Sequence, residues 1–353
     1  MTPTEAIIKE TGLSYSNDGS PGICRTGKPG KFHYVDRSGK RITDEKQLAR
    51  IAALVLPPAW TSVWICPKAN GHLQATGVDA AGRKQYRYHP DWTKRRSQHK
   101  YFRLLEFGKA LPKARERLRR DLARRVLDER KVLAICVDLL QKTFLRVGTK
   151  TYLKQYKSVG LSTLKDKHVK INGNTMQLSF VGKKGVRQDV KITDRRLARL
   201  VKKCREIPGQ ELFQYFDENG QRRSVDSGKI NDYIKEITGS DFTAKDFRTW
   251  GGTLEALRQF AICHQEADGR SKAKIEVEVL DCVAKKLGNT RAVCKSAYVY
   301  PLLLESHRND TLDRWLKKMD TDSPIGDATL HNHEKTLRAF LRHHERLKKK
   351  AGT

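Results

Sequence analysis

Hydrophobic and polar positions alternate in short runs along roughly the first ninety residues of the chain. The runs are rich in β-branched and aromatic residues and are separated by Gly, Pro, Asp and Ser, which is typical of strands joined by turns. Strands are predicted over residues 32–35, 61–66, 73–78 and 84–88. One helix is expected over residues 48–55, because the Pro57-Pro58 pair that follows would end it.

From about residue 100 the apolar positions recur every three or four residues, which indicates helices. Residues 103–134 are charged and dense in Arg and are predicted as one long helix, followed by an apolar helix over 132–145. Further helices are predicted over residues 195–204, 225–238, 245–264, 274–287, 312–318 and 333–349. The second part of the chain is therefore expected to be mainly helical.

A short stretch with strand periodicity interrupts these helices. It comprises residues 169–171, 176–181 and 186–192, with turns at Asn172-Gly173 and at 182–185. Because Asn-Gly is a strong signal for a tight hairpin, a three-stranded meander is predicted here.

The pattern as a whole predicts an α+β protein with two domains. A small N-terminal β-sheet domain is expected over residues 1–95. A larger, mainly α-helical C-terminal domain with the three-stranded meander is expected over residues 96–353. The boundary is placed there because Arg, Lys and Gln replace apolar residues over 90–101.

The charge of the chain narrows the choice of partner. There are 71 Lys and Arg against 40 Asp and Glu, a formal net charge of +31. A surplus of this size indicates a polyanionic partner, for which duplex DNA is the natural choice. A membrane is not expected, because no long apolar run exists and the basic helices carry charge on all sides.

The N-terminal residues and the cysteines bear on location and metal binding. The first residues lack the basic and apolar regions of a signal peptide. The seven cysteines are scattered, without CxxC pairs or zinc-site spacing, which suggests reduced thiols in a cytoplasm and no metal site.

Four separated segments carry candidate chemistry. Their central residues are Arg146, Lys183, the pair Lys245 and Arg248, and Asn289 followed by Tyr298. Each alone has an ordinary reading: Arg146 as a solvated charge, Lys183 as an exposed turn lysine, Asn289 as a helix cap and Tyr298 as a packed aromatic.

The order and spacing of the segments are more specific. An Arg, a hairpin Lys, a KxxR pair and a polar residue nine positions before a Tyr resemble the type IB DNA topoisomerases of the poxvirus-like and bacterial kind. N-terminal motifs at 56–60, 71–77 and 82–88 are similar to the bacterial members. The resemblance covers nearly the whole chain and implies the catalytic fold that this family shares with tyrosine recombinases.

The resemblance also implies roles for the residues. Tyr298 matches the nucleophile that forms a 3′-phosphotyrosyl bond, Arg146 and Arg248 match the two catalytic arginines, and Lys183 matches the general acid. Two guanidiniums suit a reaction without metal, because they supply fixed positive charge to the phosphorus centre. Neither ATP nor a divalent metal is expected to be required.

The resemblance leaves part of the chemical role open at two further positions. Asn289 stands where poxvirus members have His and where a bacterial subset has Asn; it is expected to donate a hydrogen bond to a phosphate oxygen, without proton transfer. Lys245 matches a further lysine near the phosphate, which either shares the work of the acid or only tunes it.

The family resemblance further implies DNA contacts by Arg83, Tyr86 and Tyr88 from the N-terminal domain and by Tyr152 in the major groove. The Arg-rich stretch 113–125 is expected to follow phosphates. A monomer that closes on duplex DNA as a C-shaped clamp, at the bacterial nucleoid in the cytoplasm, is the expected arrangement.

Two alternatives remain open at this point. A tyrosine recombinase shares the chemistry, but usually has His three residues before the second arginine, where this chain has Lys245, and a helical N-terminal domain. A non-enzymatic DNA-binding protein with a degenerate site is the other, although every catalytic residue type is present.

Overall fold

The computed structural model describes residues 3–80, 82–266, 269–321 and 327–351. The chain forms two compact units, Met1–Tyr101 and Phe102–Thr353, and the boundary between them lies inside one long helix, Pro90–Leu122. The α+β class predicted from the sequence is confirmed. The assignment of a DNA-clamp role to residues 1–95 and of catalysis to 96–353 stays a prediction.

The first unit is built on a five-stranded antiparallel sheet. Its strands are β1 (Ile23–Lys28), β2 (Lys31–Val35), β3 (Thr61–Ile65), β4 (Leu73–Val78) and β5 (Lys84–Tyr88), and their order across the sheet is β2-β1-β3-β4-β5. The four predicted strands are confirmed, and β1 is an additional strand that the sequence pattern did not predict. The helices before β5 are α1 (Pro3–Thr11), which was not predicted, and α2 (Glu45–Ala53).

Helix α2 closes one face of this sheet. Asp44 caps it by accepting from the Gln47 backbone N–H, and its Ile51 is buried against Ile23 and Ile65. Both faces of β3 and β4 are buried: one side feeds this core, and Trp64 on the other side belongs to a second buried cluster. A smaller cluster forms around Trp92.

The Arg-rich segment contains two helices, and the prediction of a single helix over 103–134 is wrong. Helix α3 (Pro90–Leu122) ends and α4 (Glu129–Thr143) begins after a short turn. Asp128, in an extended conformation, accepts from the Lys131 backbone N–H and so caps the new helix. No Gly or Pro marks this break in the sequence, which is why periodicity alone did not reveal it.

Helix α4 is the centre of the second unit. Its residues from Lys131 to Leu140 are all buried, because helices pack on several sides of it. The surrounding helices are α6 (Arg195–Arg205), α7 (Ser227–Thr238) and α8 (Ala244–Glu266). A helix buried on every side has no polar face, in agreement with the apolar run that predicted it.

The predicted meander is confirmed as a three-stranded antiparallel sheet in the order β6-β7-β8. Its strands are β6 (Val169–Asn172), β7 (Thr175–Val181) and β8 (Arg187–Thr193). A tight turn at Lys183–Gly185 joins β7 to β8. A second, two-stranded hairpin of β9 (Gln214–Phe216) and β10 (Arg222–Ser224) was not predicted.

The remaining helices complete the second unit. They are α5 (Lys150–Tyr156), α9 (Lys272–Leu287), α10 (Arg291–Ala297), α11 (Pro301–Arg308), α12 (Asp313–Leu316) and α13 (Asp327–Ala351). The short helices α5, α10 and α11 had been missed, since seven or eight residues give too few turns for a clear period. Across the described ranges, every helix is too short or too polar to cross a membrane.

Candidate active site

Arg146 lies in a loop whose shape is set by close backbone packing. Helix α4 ends at Phe144 in the left-handed conformation (φ 53°), and Gly148 follows with φ 79°. A Cβ on Gly148 would come within 2.7 Å of the Gly160 Cα, so only glycine permits this approach. The Leu161 backbone N–H donates to the Arg146 carbonyl at 2.8 Å. The segment around Gly160 therefore fixes the position of Arg146.

Arg248 is buried in the second turn of α8, and its exposed fraction is 4%. Its guanidinium donates to the carbonyl of Phe144 and, at 3.0 Å, to the carbonyl of Leu287. Phe144 directly follows α4 and Leu287 is the last residue of α9. Both carbonyls therefore lie at a helix end, where carbonyls lack intrahelical partners. Arg248 thus ties the ends of α4 and α9 together.

Asn289 follows α9 in a turn that depends on Gly288, whose φ is 58°. Arg146 donates through Nη1 to the Gly288 carbonyl at 3.2 Å and through Nη2 to the Asn289 side-chain oxygen. The two residues are far apart in the sequence, and the fold brings them into direct contact. Because its oxygen accepts from Arg146, the Asn289 amide group is oriented with its N–H₂ available as a donor.

Tyr298 is the residue directly after α10. The Arg248 guanidinium carbon lies 4.9 Å from the centroid of its ring. Its backbone is held by Thr253, a fully buried residue of α8 whose hydroxyl proton is shared between the Thr249 carbonyl at 2.9 Å and the Tyr298 carbonyl at 3.1 Å. The same hydroxyl accepts from the Tyr300 backbone N–H at 3.2 Å. Thr253 therefore fixes the chain on both sides of Val299.

The charges around Tyr298 favour its ionised form. Burial alone would raise the pKa of the phenol, but the charge and hydrogen bond of Arg248, with the charges of Arg146 and Lys245, outweigh burial. Together they hold the pKa below its usual value of 10.0. By contrast, burial raises the pKa of the neighbouring Cys294 thiol to about 11, so this thiol stays protonated at neutral pH.

The cluster is built to receive an anion. Burial, and then the charge of Arg248, lower the pKa of Arg146, which shows that the two guanidiniums repel each other. In the part of the chain that the structure describes, neither one forms an ion pair with a carboxylate. Two buried donors, Arg248 Nε and Asn289 Nδ2, have no hydrogen-bond partner among the described residues. Unpaired buried donors are costly, and a phosphate would satisfy them.

Lys183 and Lys245 lie on the exposed side of these elements. Lys183 occupies the exposed turn between β7 and β8, where the next residue, Lys184, has φ 61°. Lys245 is exposed in the first turn of α8, one turn before Arg248, and its charge reaches Tyr298. The structure therefore brings Arg146, Arg248, Asn289 and Tyr298 together. Lys245 acts on this cluster through its charge, which helps to lower the pKa of Tyr298. Lys183 is carried by a different element.

The predicted DNA contacts of the first unit lie along one hairpin. Arg83 is in the turn between β4 and β5, where it pairs with Asp79 at 2.7 Å. Tyr86 is half exposed and stacks on Tyr88. Tyr88 is less exposed and packs against the cluster around Trp92. DNA contact by these three residues stays a prediction.

The residues of the second unit that are predicted to contact DNA differ in how far they are engaged within the protein. Tyr152 is exposed on α5, in contact with Tyr156, and is available to a ligand. Several arginines of the stretch 113–125 are instead engaged within the protein. Arg115 forms a two-point ion pair with the buried Glu334, at 2.6 and 2.9 Å. Arg119 and Arg125 are exposed and form no ion pair with any described residue.

Sequence reasoning missed residues that shape the site. Gly251 lies against the Phe144 ring, and a Cβ on Gly252 would come within 2.9 Å of the Tyr298 carbonyl oxygen. Thr253 then holds that same carbonyl. The signal was present: two glycines in succession inside a helix cost about 2 kcal/mol relative to alanine and so indicate a close approach.

Comparison with known proteins agrees with this geometry. The model of the family described as eukaryotic DNA topoisomerase I, catalytic core, matches residues 89–319. The model described as bacterial DNA topoisomerase IB, N-terminal domain, matches residues 31–79. These two matches show that the chain is a DNA topoisomerase.

The relatives specify the type. DNA topoisomerase 1B of Acanthamoeba polyphaga mimivirus is 33% identical over 296 residues, 82% of this chain and 88% of the relative. DNA topoisomerase I of monkeypox virus and DNA topoisomerase 1B of vaccinia virus are each 25% identical over 240 residues, 67% of this chain and 73% of the relatives. The chain belongs to the type IB DNA topoisomerase family.

This membership decides between the alternatives that the sequence left open. The protein is a topoisomerase, with DNA as its substrate, and not a recombinase or a non-enzymatic binding protein. The sheet of the first unit agrees with the strand pattern that had argued against a recombinase.

Proposed function

We propose that the protein relaxes supercoiled DNA by transient cleavage of one strand through Tyr298. The phenolate oxygen of Tyr298 attacks the phosphorus, the bond to the 5′-oxygen breaks, and a 3′-phosphotyrosyl ester forms. The lowered pKa of this phenol supports the role, because it increases the fraction of phenolate at a given pH.

Arg146, Arg248 and Asn289 stabilise the charge that develops on the phosphate. The observation that carries this proposal is their meeting in one cluster without a carboxylate, with the Asn289 Nδ2 and Arg248 Nε donors buried and unpaired among the described residues. Donors fixed in advance around a developing charge need no reorganisation during the reaction. Asn289 donates a hydrogen bond and transfers no proton.

Lys183 donates the proton that the departing 5′-oxygen needs. Such general acid catalysis is worth about 10²–10⁴-fold in rate. The exposed turn that carries Lys183 is suited to reaching a bound strand. The charge of Lys245 helps to lower the pKa of the Tyr298 phenol, and we assign this lysine to tuning the charge of the site.

Relaxation then follows from torsion in the DNA. The free 5′-hydroxyl end turns around the intact strand, so positive and negative supercoils both relax. Religation reverses the first step, and because the tyrosyl ester conserves the energy of the phosphodiester, neither ATP nor a divalent metal is required. Arg83, Tyr86, Tyr88 and Tyr152 contact the duplex, and the enzyme acts as a monomeric clamp at the bacterial nucleoid.

The decisive experiment uses supercoiled plasmid in EDTA without ATP. The wild-type protein is expected to relax plasmids of either sign and to form a covalent adduct at the 3′ end of the nick. Tyr298→Phe keeps the ring contact with Arg248 and lacks only the hydroxyl, so it is expected to bind DNA without relaxing it.

Three results would contradict the proposal. One is relaxation by Tyr298→Phe, which would place the nucleophile elsewhere. Another is an adduct at the 5′ end, and the third is relaxation that depends on added Mg²⁺ or ATP.

A further inference from the structure

The side chain of Gln188 connects two parts of the candidate site. Gln188 lies on β8, opposite Phe180 of β7, and is half-buried. Its Cγ lies beside Gly182, where an added Cβ would be 3.3 Å away. Its amide lies against Gly288, where an added Cβ would be 2.4 Å from Nε2 and 2.6 Å from Oε1.

Each glycine directly precedes a residue of the proposed mechanism. Gly182 is followed by Lys183, and Gly288 is followed by Asn289. The Gly288 carbonyl also accepts from Arg146. One side chain thus contacts both the base of the turn that carries the proposed acid and the turn that holds the proposed phosphate ligands.

The contact at Gly288 is one of packing. The Gln188 amide has no hydrogen-bond partner within the described ranges of the chain, so it does not serve to satisfy a neighbouring polar group. Its position depends on the absence of a side chain at Gly288. That position is glycine for a second reason as well, its φ of 58°.

The turn that carries Lys183 needs such support. It is exposed, and it contains two residues with positive φ, Lys184 and Gly185. Its backbone is anchored on one side, where the Val159 N–H donates to the Val181 carbonyl at 2.9 Å. Val159 precedes Gly160, which packs on the Arg146 loop. Gln188 supplies the corresponding support on the side of Asn289.

We propose that Gln188 is a positioning residue that holds the β7–β8 turn against the Gly288 turn and so sets the reach of Lys183. The inference rests on the proposed role of Lys183 as general acid. Misplacement of a catalytic group by about 1 Å costs up to about 10²-fold in rate. Loss of Gln188 should therefore weaken proton donation without altering the phosphate ligands.

The test compares two leaving groups in single-turnover cleavage. One DNA substrate has the normal 5′-oxygen at the scissile phosphate, and the other has sulfur in its place. A thiol has a pKa of about 8.5, far below the value of about 15.7 for water, so a thiolate leaves without a proton. Gln188→Ala is expected to slow cleavage of the oxygen substrate about tenfold and to leave the sulfur substrate within about twofold.

Two further variants serve as controls. Gln188→Met keeps the length of the side chain and hence the contact with Gly288, so it is expected to restore most of the rate. Gln177→Ala removes a glutamine from the neighbouring strand, where it donates to Asp189 at 2.8 Å, and should leave both rates unchanged. Thermal unfolding of each variant checks that the fold is intact.

Lys183→Ala separates the inference from the proposed function. If it slows both substrates equally, the assignment of Lys183 as the acid is wrong. If it slows only the oxygen substrate while Gln188→Ala slows neither, or slows both equally, the inference about Gln188 alone is overturned.

Discussion

The guanidinium of Arg248 lies 4.9 Å from the centre of the Tyr298 ring, while its own N–H groups donate to the carbonyls of Phe144 and Leu287. The hydrogen bonds fix the cation, and the cation in turn holds and polarises the phenol. Because Arg248 is buried, this charge is poorly screened by water. One residue therefore both assembles the site and lowers the pKa of Tyr298.

The pKa of Tyr298 is expected to rise in Lys245→Ala. Burial raises this pKa, and Arg248, Arg146 and Lys245 lower it, so removal of one positive charge shifts it upward. At a fixed pH below the pKa, the fraction of phenolate then falls. Ultraviolet titration of each protein against its Tyr298→Phe counterpart isolates this phenol.

The upward shift should be larger at low salt, because Lys245 is exposed and its charge is screened. A pKa that is the same with and without Lys245 would show that this lysine does not tune the proposed nucleophile.

Thr253→Val is expected to reduce both stability and cleavage. It removes the hydroxyl that donates to the Thr249 and Tyr298 carbonyls and accepts from the Tyr300 N–H, which costs about 1–3 kcal/mol in the free energy of unfolding. Thr253→Ser keeps the hydroxyl and should retain most of the cleavage rate. Equal activity of the Val and Ser variants would show that the hydroxyl does not position the nucleophile.

Asn289→Ala should lose about 10²-fold in the rate of strand cleavage, the usual effect of removing one donor to a developing charge. DNA binding should change little, since phosphate contacts elsewhere dominate affinity. Asn289→His restores a donor that titrates near pH 6.5 or below, so its rate relative to wild type should rise as the pH falls through that range. Full cleavage activity of Asn289→Ala would argue against a hydrogen bond from position 289.

Arg115 and Arg119 are expected to differ although they lie one turn apart on α3. Arg115→Ala leaves the buried carboxylate of Glu334 without its cation and should lower the free energy of unfolding by about 1–3 kcal/mol. Arg119→Ala should leave stability unchanged and reduce the slope of log affinity against log salt by about 0.9, if it contacts one phosphate. Denaturant unfolding and DNA binding at several salt concentrations measure the two effects. The reverse pattern would contradict both assignments.

The local sequence pattern predicted much of the secondary structure of this protein. Alternation predicted four strands of the first sheet and the meander, and the apolar period predicted most of the longer helices. The net charge of +31 indicated a polyanion, and the order of Arg146, Lys183, Arg248 and Tyr298 indicated the family. These features can be read from the sequence because strand and helix periods depend on neighbouring residues, whereas net charge and the order of motifs need no folded structure.

Tertiary packing decided what the local pattern left open. The pairing of Arg115 with Glu334, 219 positions later in the chain, commits a candidate phosphate ligand to a contact within the protein. Periodicity cannot reveal such contacts, because their partners are distant in sequence and meet only after the helices pack.

The same division between local pattern and tertiary packing applies to the candidate active site. The sequence identified Arg146, Asn289 and Tyr298 as separate candidates, but only the fold joins Arg146 to Asn289 and places Thr253 beneath Tyr298. The residue types suit the chemistry of a phosphodiester, and the order and spacing of their segments along the chain made them recognisable. Their distances were fixed by how the ends of α4, α9 and α10 meet around α8, and that depends on the packed core as a whole.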